Sequence, residues 1–248
     1  MSLKVDLFPA LQDNYGFILR DEASGQVAII DAPEPRAISE RLAALGLDRL
    51  DYILNTHWHP DHAGGNALLK KRYGAIIYGP QEVTRIAPLD HVLTPGDAFR
   101  LGGTVLDVID LGGHTLGHIG YLDHAGGQAF VADTIFPLGC GRLFEGTPEQ
   151  MWGALKRIAE LPDDTLLYTA HEYTLSNLKF AESLGVDAAL AQRAVKIRAR
   201  RERGEPTVPS TVAEEKATNP FLVYPLREKA FAAQAAKFGE LRRAKDNF

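Results

Sequence analysis

The amino-acid sequence predicts an α/β fold that continues into a smaller helical unit, on three observations. Short apolar or alternating runs bounded by Gly, Pro or Asp recur through the first two-thirds of the chain. Stretches with helical spacing fall between some of them, and from about Thr174 the strand signal stops while helix formers continue. The expected division is therefore 1–173 and 174–248.

The strands expected, in chain order, are KVDLF (4–8), YGFILRD (15–21), QVAIID (26–31), LDYILNT (50–56), AIIYG (75–79), TVLDVIDL (104–111), IGYLDH (119–124), QAFVAD (128–133) and TLLYTAH (165–171). Each is short and rich in β-branched or aromatic residues, as a pleated and partly buried surface requires. Between them, PEPRAISERLAALG spaces Ile38, Leu42 and Leu45 on one helical face and ends at Gly46, and GGNALLKKRYG is a second helix. TPEQMWGALKRIAELP does the same with Met151, Leu155 and Ile158 after a Thr-Pro start. Beyond Thr174, helices are expected in DAALAQRAVKIRARRERG and REKAFAAQAAKFGELRRAKDNF, separated by the Pro-containing EPTVPSTVAEEKATNPFLVYP.

Composition limits the function classes. With 248 residues, 45% hydrophobic and 24% charged, the chain can bury a substantial core. A net charge of −5, from 27 basic and 32 acidic residues spread along the chain, gives no electrostatic case for nucleic acid or an anionic membrane. No segment reads as a leader or a bilayer span, so a cytoplasmic location is expected. The single cysteine, Cys140, excludes an intramolecular disulfide and fits a reducing compartment. Nothing in the surface pattern asks for a second copy, and a monomer is the simplest expectation.

The densest chemistry is the run NTHWHPDHAG at 55–64, with three histidines and an aspartate in six positions. It follows a buried strand and precedes a helix, and strand carboxyl ends are where α/β folds place their sites. His57 and His59 can face one side, with Asp61 and His62 turned to a neighbouring point. Imidazole and carboxylate without thiolate suit zinc, iron or manganese in an open site. Further ligands stand at other strand ends: His114 in GGHTLGH, Asp133 in FVADTIF and His171 in YTAHEY. If His57, His59 and His114 take one metal, Asp61, His62 and His171 the other, and Asp133 links them, every member has a use and solvent positions stay open for catalysis. His118, Asp31 and Thr56 are candidates to orient ligand rings, while His91 and His124 read as surface residues and Cys140 as a packed thiol.

THWHPDH followed by isolated His114, Asp133 and His171 resembles the metallo-β-lactamase superfamily, whose fold is an αββα sandwich of two mixed sheets flanked by helices. LQDNYGFIL, GGHTLGHIGY, FVADTIFPLGCGRLFEG, TAHEYTLSNLKFA, ATNPFL and LRRAKDNF further resemble its glyoxalase II, or hydroxyacylglutathione hydrolase, family over nearly the whole chain. The resemblance implies a catalytic portion, 1–173, and a helical glutathione-binding portion, 174–248. It implies hydrolysis of S-(R)-lactoylglutathione and related thioesters to glutathione and a 2-hydroxy acid, D-lactate, the second step of methylglyoxal detoxification. Two divalent cations per chain, zinc first and iron or manganese as alternatives, would generate a bridging hydroxide that Asp61 orients. The same resemblance maps substrate contacts onto Arg142, Tyr173, Arg242 and Lys245, and onto Phe144, where familiar members carry a tyrosine. The alternatives are a glutathione persulfide dioxygenase with one iron and a non-catalytic metal-binding protein of the same fold.

Overall fold

The computed structural model describes residues 3–248, and in it every strand expected from the sequence is present. One sheet runs in the order β1 (Lys4–Ala10), β2 (Asn14–Arg20), β3 (Val27–Ile30), β4 (Tyr52–Leu54), β5 (Ile76–Gly79) and β6 (His91–Val92). Its β1–β2–β3 part is antiparallel and β3–β4–β5–β6 is parallel. Parallel neighbours need long crossovers. Helix α1 (Pro35–Ala44) supplies one between β3 and β4, and α2 (Pro60–Ala63) with α3 (Asn66–Tyr73) the next. Pro35 opens α1, where its missing N–H has no partner to lose. Ile38 and Leu42 of α1 and Leu69 of α3 pack with Ile29, Ile53 and Ile77 of the sheet in one buried cluster. This covering brings the carboxyl ends of β3 and β4 out along one edge, where Asp31 and the histidine run emerge.

The other sheet contains β7 (Ala98–Leu101), β8 (Thr104–Asp110), β9 (Ile119–Asp123) and β10 (Gln128–Ala132). After a separate two-stranded ladder, β11 (Ile135–Phe136) with β12 (Gly139–Cys140), it gains β13 (Leu166–Thr169) and β14 (Ser210–Thr211). The order is β14-β13-β10-β9-β8-β7. In β8 buried residues alternate with half-buried ones, the pattern that TVLDVID predicts.

The remaining helices are α4 (Pro148–Ala159), α5 (Thr174–Ser183), α6 (Ala188–Glu202), α7 (Val212–Thr218), α8 (Pro220–Val223) and α9 (Phe231–Asp246). Thr147 and Gln150 form a capping box at the start of α4, which buries Met151, Trp152, Leu155 and Ile158. Trp152 Nε1 donates to Gln234 Oε1 of α9 at 3.1 Å, so the buried indole keeps its hydrogen bond. The expected helices around 187–204 and 227–248 are α6 and α9. The intervening segment, expected only as a Pro-containing separator, also folds into α7 and α8 and adds the two-residue β14.

Two compact units result. One comprises residues up to Asp110 with Gly117–Phe130, the other Leu111–Leu116 with Val131–Phe248. The second unit thus takes in β11, β12 and β13 as well as the helices after Thr174. Among the described residues no helix is long and apolar enough to cross a membrane.

Candidate metal centre

In the first unit the histidine run is organised by the carboxyl end of β3. Asp31 has φ of 58°, a left-handed conformation uncommon for a residue with a side chain, and its amide donates to Leu54 O at 3.0 Å. That turn aims its carboxylate at the neighbouring strand end. Oδ1 accepts from the Thr56 amide at 2.8 Å, and Oδ2 from the Thr56 hydroxyl at 2.8 Å and from His62 Nδ1 at 2.8 Å. Thr56 Oγ1 also lies 3.0 Å from His57 Nδ1. With Nδ1 of each ring engaged in this way, His57 and His62 present Nε2 toward the rest of the run.

Local chain geometry divides the run. His57 Nε2 and His59 Nδ1 approach to 3.0 Å with their rings edge-on, so the two ring nitrogens face one point. His59 is extended, Pro60 then starts the single-turn helix α2, and Asp61 and His62 fall on that turn. His62 Nε2 lies 3.5 Å from Asp61 Oδ2, which accepts from the Asn14 side-chain amide at 3.0 Å. Gly65 leaves space for the Ala32 carbonyl, which a Cβ would meet at 2.5 Å. His57 and His62 are buried, whereas His59 and Asp61 are half-buried.

In the second unit three ligand-type residues converge. His114 follows β8 and donates from Nδ1 to Arg142 O at 2.9 Å, which fixes the orientation of its ring. Asp133 directly follows β10, and His171 follows β13. Asp133 Oδ2 lies 3.3 Å from His114 Nε2 and its Oδ1 3.4 Å from His171 Nε2. One carboxylate thus turns a different oxygen toward each imidazole. Gly113 has φ of 148°, and a Cβ there would meet Met151 at 2.7 Å. This donor set of imidazole nitrogens and carboxylate oxygens, with ring nitrogens anchored by carboxylate, hydroxyl and carbonyl, fits divalent zinc, iron or manganese.

The residues mapped as substrate contacts also belong to the second unit. The Tyr173 ring lies parallel to His171, with centroids 4.7 Å apart, and Phe144 meets His114 edge-on at 5.2 Å. Phe144 is 61% exposed. Arg142 is exposed, with Nε 3.8 Å from Asp246 Oδ1. Arg242 is buried; its Nη1 donates to Cys140 O at 2.9 Å and its Nη2 lies 3.0 Å from Asp246. Lys245 Nζ donates to Ser176 O at 3.0 Å, and burial, with the nearby Arg242 and Arg142 charges, holds its pKa below the ordinary lysine value. Burial pushes the Cys140 thiol up to about 11, so it is protonated at neutral pH, as a packed rather than nucleophilic thiol must be.

The remaining histidines have other surroundings. His118 is buried and stacks on the His57 ring at 4.7 Å. His91 of β6 stacks on Tyr78 of β5, and His124 sits 3.3 Å from Asp107. The contact of Asn14 with Asp61 escaped sequence reasoning, although LQDNYGFIL marks the segment; the signal is an amide as the first residue of a buried strand.

Two family models match the chain: Metallo-beta-lactamase superfamily over residues 14–171, and Hydroxyacylglutathione hydrolase C-terminus over residues 172–248. The chain is 46% identical over 251 residues to a hydroxyacylglutathione hydrolase of Erythrobacter litoralis, covering 99% of this chain and 100% of that protein. It is also 46% identical over 255 residues to one of Rhizobium meliloti, covering 100% and 99%. Among solved structures, ETHE1 from Myxococcus xanthus is similar with a TM-score of 0.70 and 25% identity, covering 98% of this chain and 90% of that one.

Proposed function

The chain belongs to the metallo-β-lactamase superfamily and, within it, to the hydroxyacylglutathione hydrolases, and from this we propose that it hydrolyses S-(R)-lactoylglutathione and related glutathione thioesters. It is a metal-dependent hydrolase of glyoxalase II type, releasing glutathione and a 2-hydroxy acid, D-lactate from the lactoyl ester, in methylglyoxal detoxification. The observation that carries this reading is the match of 172–248 to the hydroxyacylglutathione hydrolase C-terminus, beside a complete ligand set.

The fold family and the His/Asp clusters make the chain a divalent-metal binder. In our assignment His57, His59 and His114 hold one cation and Asp61, His62 and His171 a second, with Asp133 shared. In support, within the first unit His57 Nε2 and His59 Nδ1 approach to 3.0 Å and His62 Nε2 lies 3.5 Å from Asp61 Oδ2, and within the second Asp133 turns one oxygen to His114 and the other to His171. When bound, a pair of such cations, zinc first among them, provides hydroxide near neutral pH and stabilises the oxyanion of an attacked carbonyl. Asp61, anchored by Asn14, accepts a proton-side hydrogen bond from the attacking water and so orients it. The leaving thiolate has a pKa of about 8.5, so no strong general acid is needed.

In this reading residues 1–173 supply the chemistry, and 174–248 together with Arg142, Phe144 and Tyr173 the glutathione grip. The cationic Arg142, Arg242 and Lys245 attract the two glutathione carboxylates, with Tyr173 and Phe144 as aromatic walls. All these residues lie on one chain, so a monomer suffices, and a cytoplasmic location suits the substrate. Replacing Asp133 and Lys245 separately tests the assignment. Asp133→Ala is expected to lose metal and nearly all kcat, and Lys245→Ala to raise KM with kcat retained. Equal effects of both on kcat alone would contradict the roles.

A further inference from the structure

The ladder β11–β12 joins Asp133 to Arg142, and its backbone is held almost residue by residue from the helices that follow. Asn219 Nδ2 donates to Phe136 O at 3.1 Å and to Gly139 O at 2.9 Å. Asn177 Nδ2 of α5 donates to Pro137 O at 3.2 Å, and the Leu138 amide donates to Glu215 Oε2 of α7 at 3.0 Å. Arg242 of α9 completes the set at Cys140 O, 2.9 Å away. Every residue from Phe136 to Cys140 is therefore tethered through its backbone by a side chain of the helical region.

These tethers are buried and mutually supported. Asn177, Glu215, Asn219 and Arg242 are all buried. Glu215 Oε1 pairs with the buried Arg193 guanidinium, and its Oε2 also accepts from Asn219 Nδ2 at 3.0 Å. Asn219 Oδ1 meanwhile caps α8 by accepting from the Phe221 amide at 3.0 Å. The tethers hold a conformation that the chain resists: Leu138 has φ of 62°, in the left-handed region. At Gly139 a Cβ would come within 2.3 Å of Asn177 Nδ2.

The far end of the ladder touches the ligands. Gly141 donates to Thr134 O at 3.3 Å, and a Cβ on Gly141 would meet Asp133 O at 1.9 Å and His114 Nδ1 at 3.1 Å. The next carbonyl, Arg142 O, is the acceptor that fixes the His114 ring. Displacing β12 therefore moves the backbone against Asp133 and the anchor of His114 together.

We propose that Asn177, Glu215 and Asn219 are positioning residues for the metal centre, acting through the β11–β12 ladder on Asp133 and on His114. The helical region then has a second task besides holding glutathione: it sets the geometry of two metal ligands. This rests on the reading of the site as a metal-dependent thioesterase. Its consequence differs from that of a substrate contact, because a displaced ligand lowers metal affinity and turnover for every thioester, whereas a lost glutathione contact raises KM for glutathione thioesters alone.

The test uses Asn219→Ser and Asn177→Ala in the full chain, with folding verified by circular dichroism. The second variant removes only the Pro137 tether and keeps the fold measurable if the first does not. Metal is quantified per chain, the absorption spectrum is taken on cobalt-substituted protein, and kinetics are run on S-lactoylglutathione and a non-glutathione thioester. Expected are weaker metal retention and an altered cobalt spectrum, with kcat down by about tenfold on both thioesters and KM little changed. Full metal retention with an unaltered spectrum in both folded variants, or a KM effect confined to S-lactoylglutathione, would overturn the proposal. If the parent protein hydrolyses neither thioester, the activity reading fails, and the metal and spectral measurements still decide whether these residues position the ligands.

Discussion

At the scale of single residues, Phe144 is the position that the sequence resemblance sets against a tyrosine. Its ring is 61% exposed and lies edge-on to His114. Restoring one hydrogen bond to substrate is worth about 0.5–1.5 kcal/mol, or up to about tenfold in affinity. Phe144→Tyr is accordingly expected to lower KM for a glutathione thioester in steady-state kinetics, and an unchanged or higher KM would show that this position does not meet the glutathione moiety. Lys245 carries a pH dependence. Burial, and then the Arg242 and Arg142 charges, lower its pKa, so its charge is lost on raising the pH sooner than an ordinary lysine loses its own. KM for glutathione thioesters should thus rise with pH before the ordinary lysine range is reached. Lys245→Arg, which stays charged, should flatten that rise in a KM-against-pH profile.

At the scale of elements, α4 shows a helix whose start is written in its own residues. The Thr147–Gln150 capping box satisfies two otherwise unpaired amides, and Thr147→Ala removes half of it. About 1 kcal/mol of stability should be lost, seen as about a 2–4 °C drop in Tm with kcat unchanged. Elements of this kind were legible in the sequence because periodicity and caps are local properties: Ile38 and Leu42 in α1, Met151 and Leu155 in α4, the alternation in β8. The ladder β11–β12 was not, since each strand has two residues and its shape depends on side chains distant in sequence, such as Asn219 and Glu215. The helices α7 and α8 were hidden in a segment read for its prolines. The Thr211–Glu214 capping box and the Asn219 cap were the signals available there.

At the scale of the whole molecule, the candidate donors could be located in the sequence because each stands at the end of an apolar run that becomes a strand. His114, Asp133 and His171 follow β8, β10 and β13, and the histidine run follows β4. The outer supports were less legible. Asp31 was recognisable as a strand-end carboxylate, yet its left-handed turn, which lets one side chain serve Thr56 and His62, depends on β4 lying beside β3. The division into compact units likewise differs from the point at which the strand signal stops, because Leu111–Leu116 and Val131–Thr169 contribute to the unit that contains the late helices. The proposed two-metal hydrolysis of glutathione thioesters is tested most directly by turnover of S-lactoylglutathione combined with metal quantification on the same preparation. Two divalent metals per chain and hydrolysis that proceeds without oxygen are expected. One iron per chain, with oxygen uptake dependent on glutathione persulfide and no thioester cleavage, would contradict it.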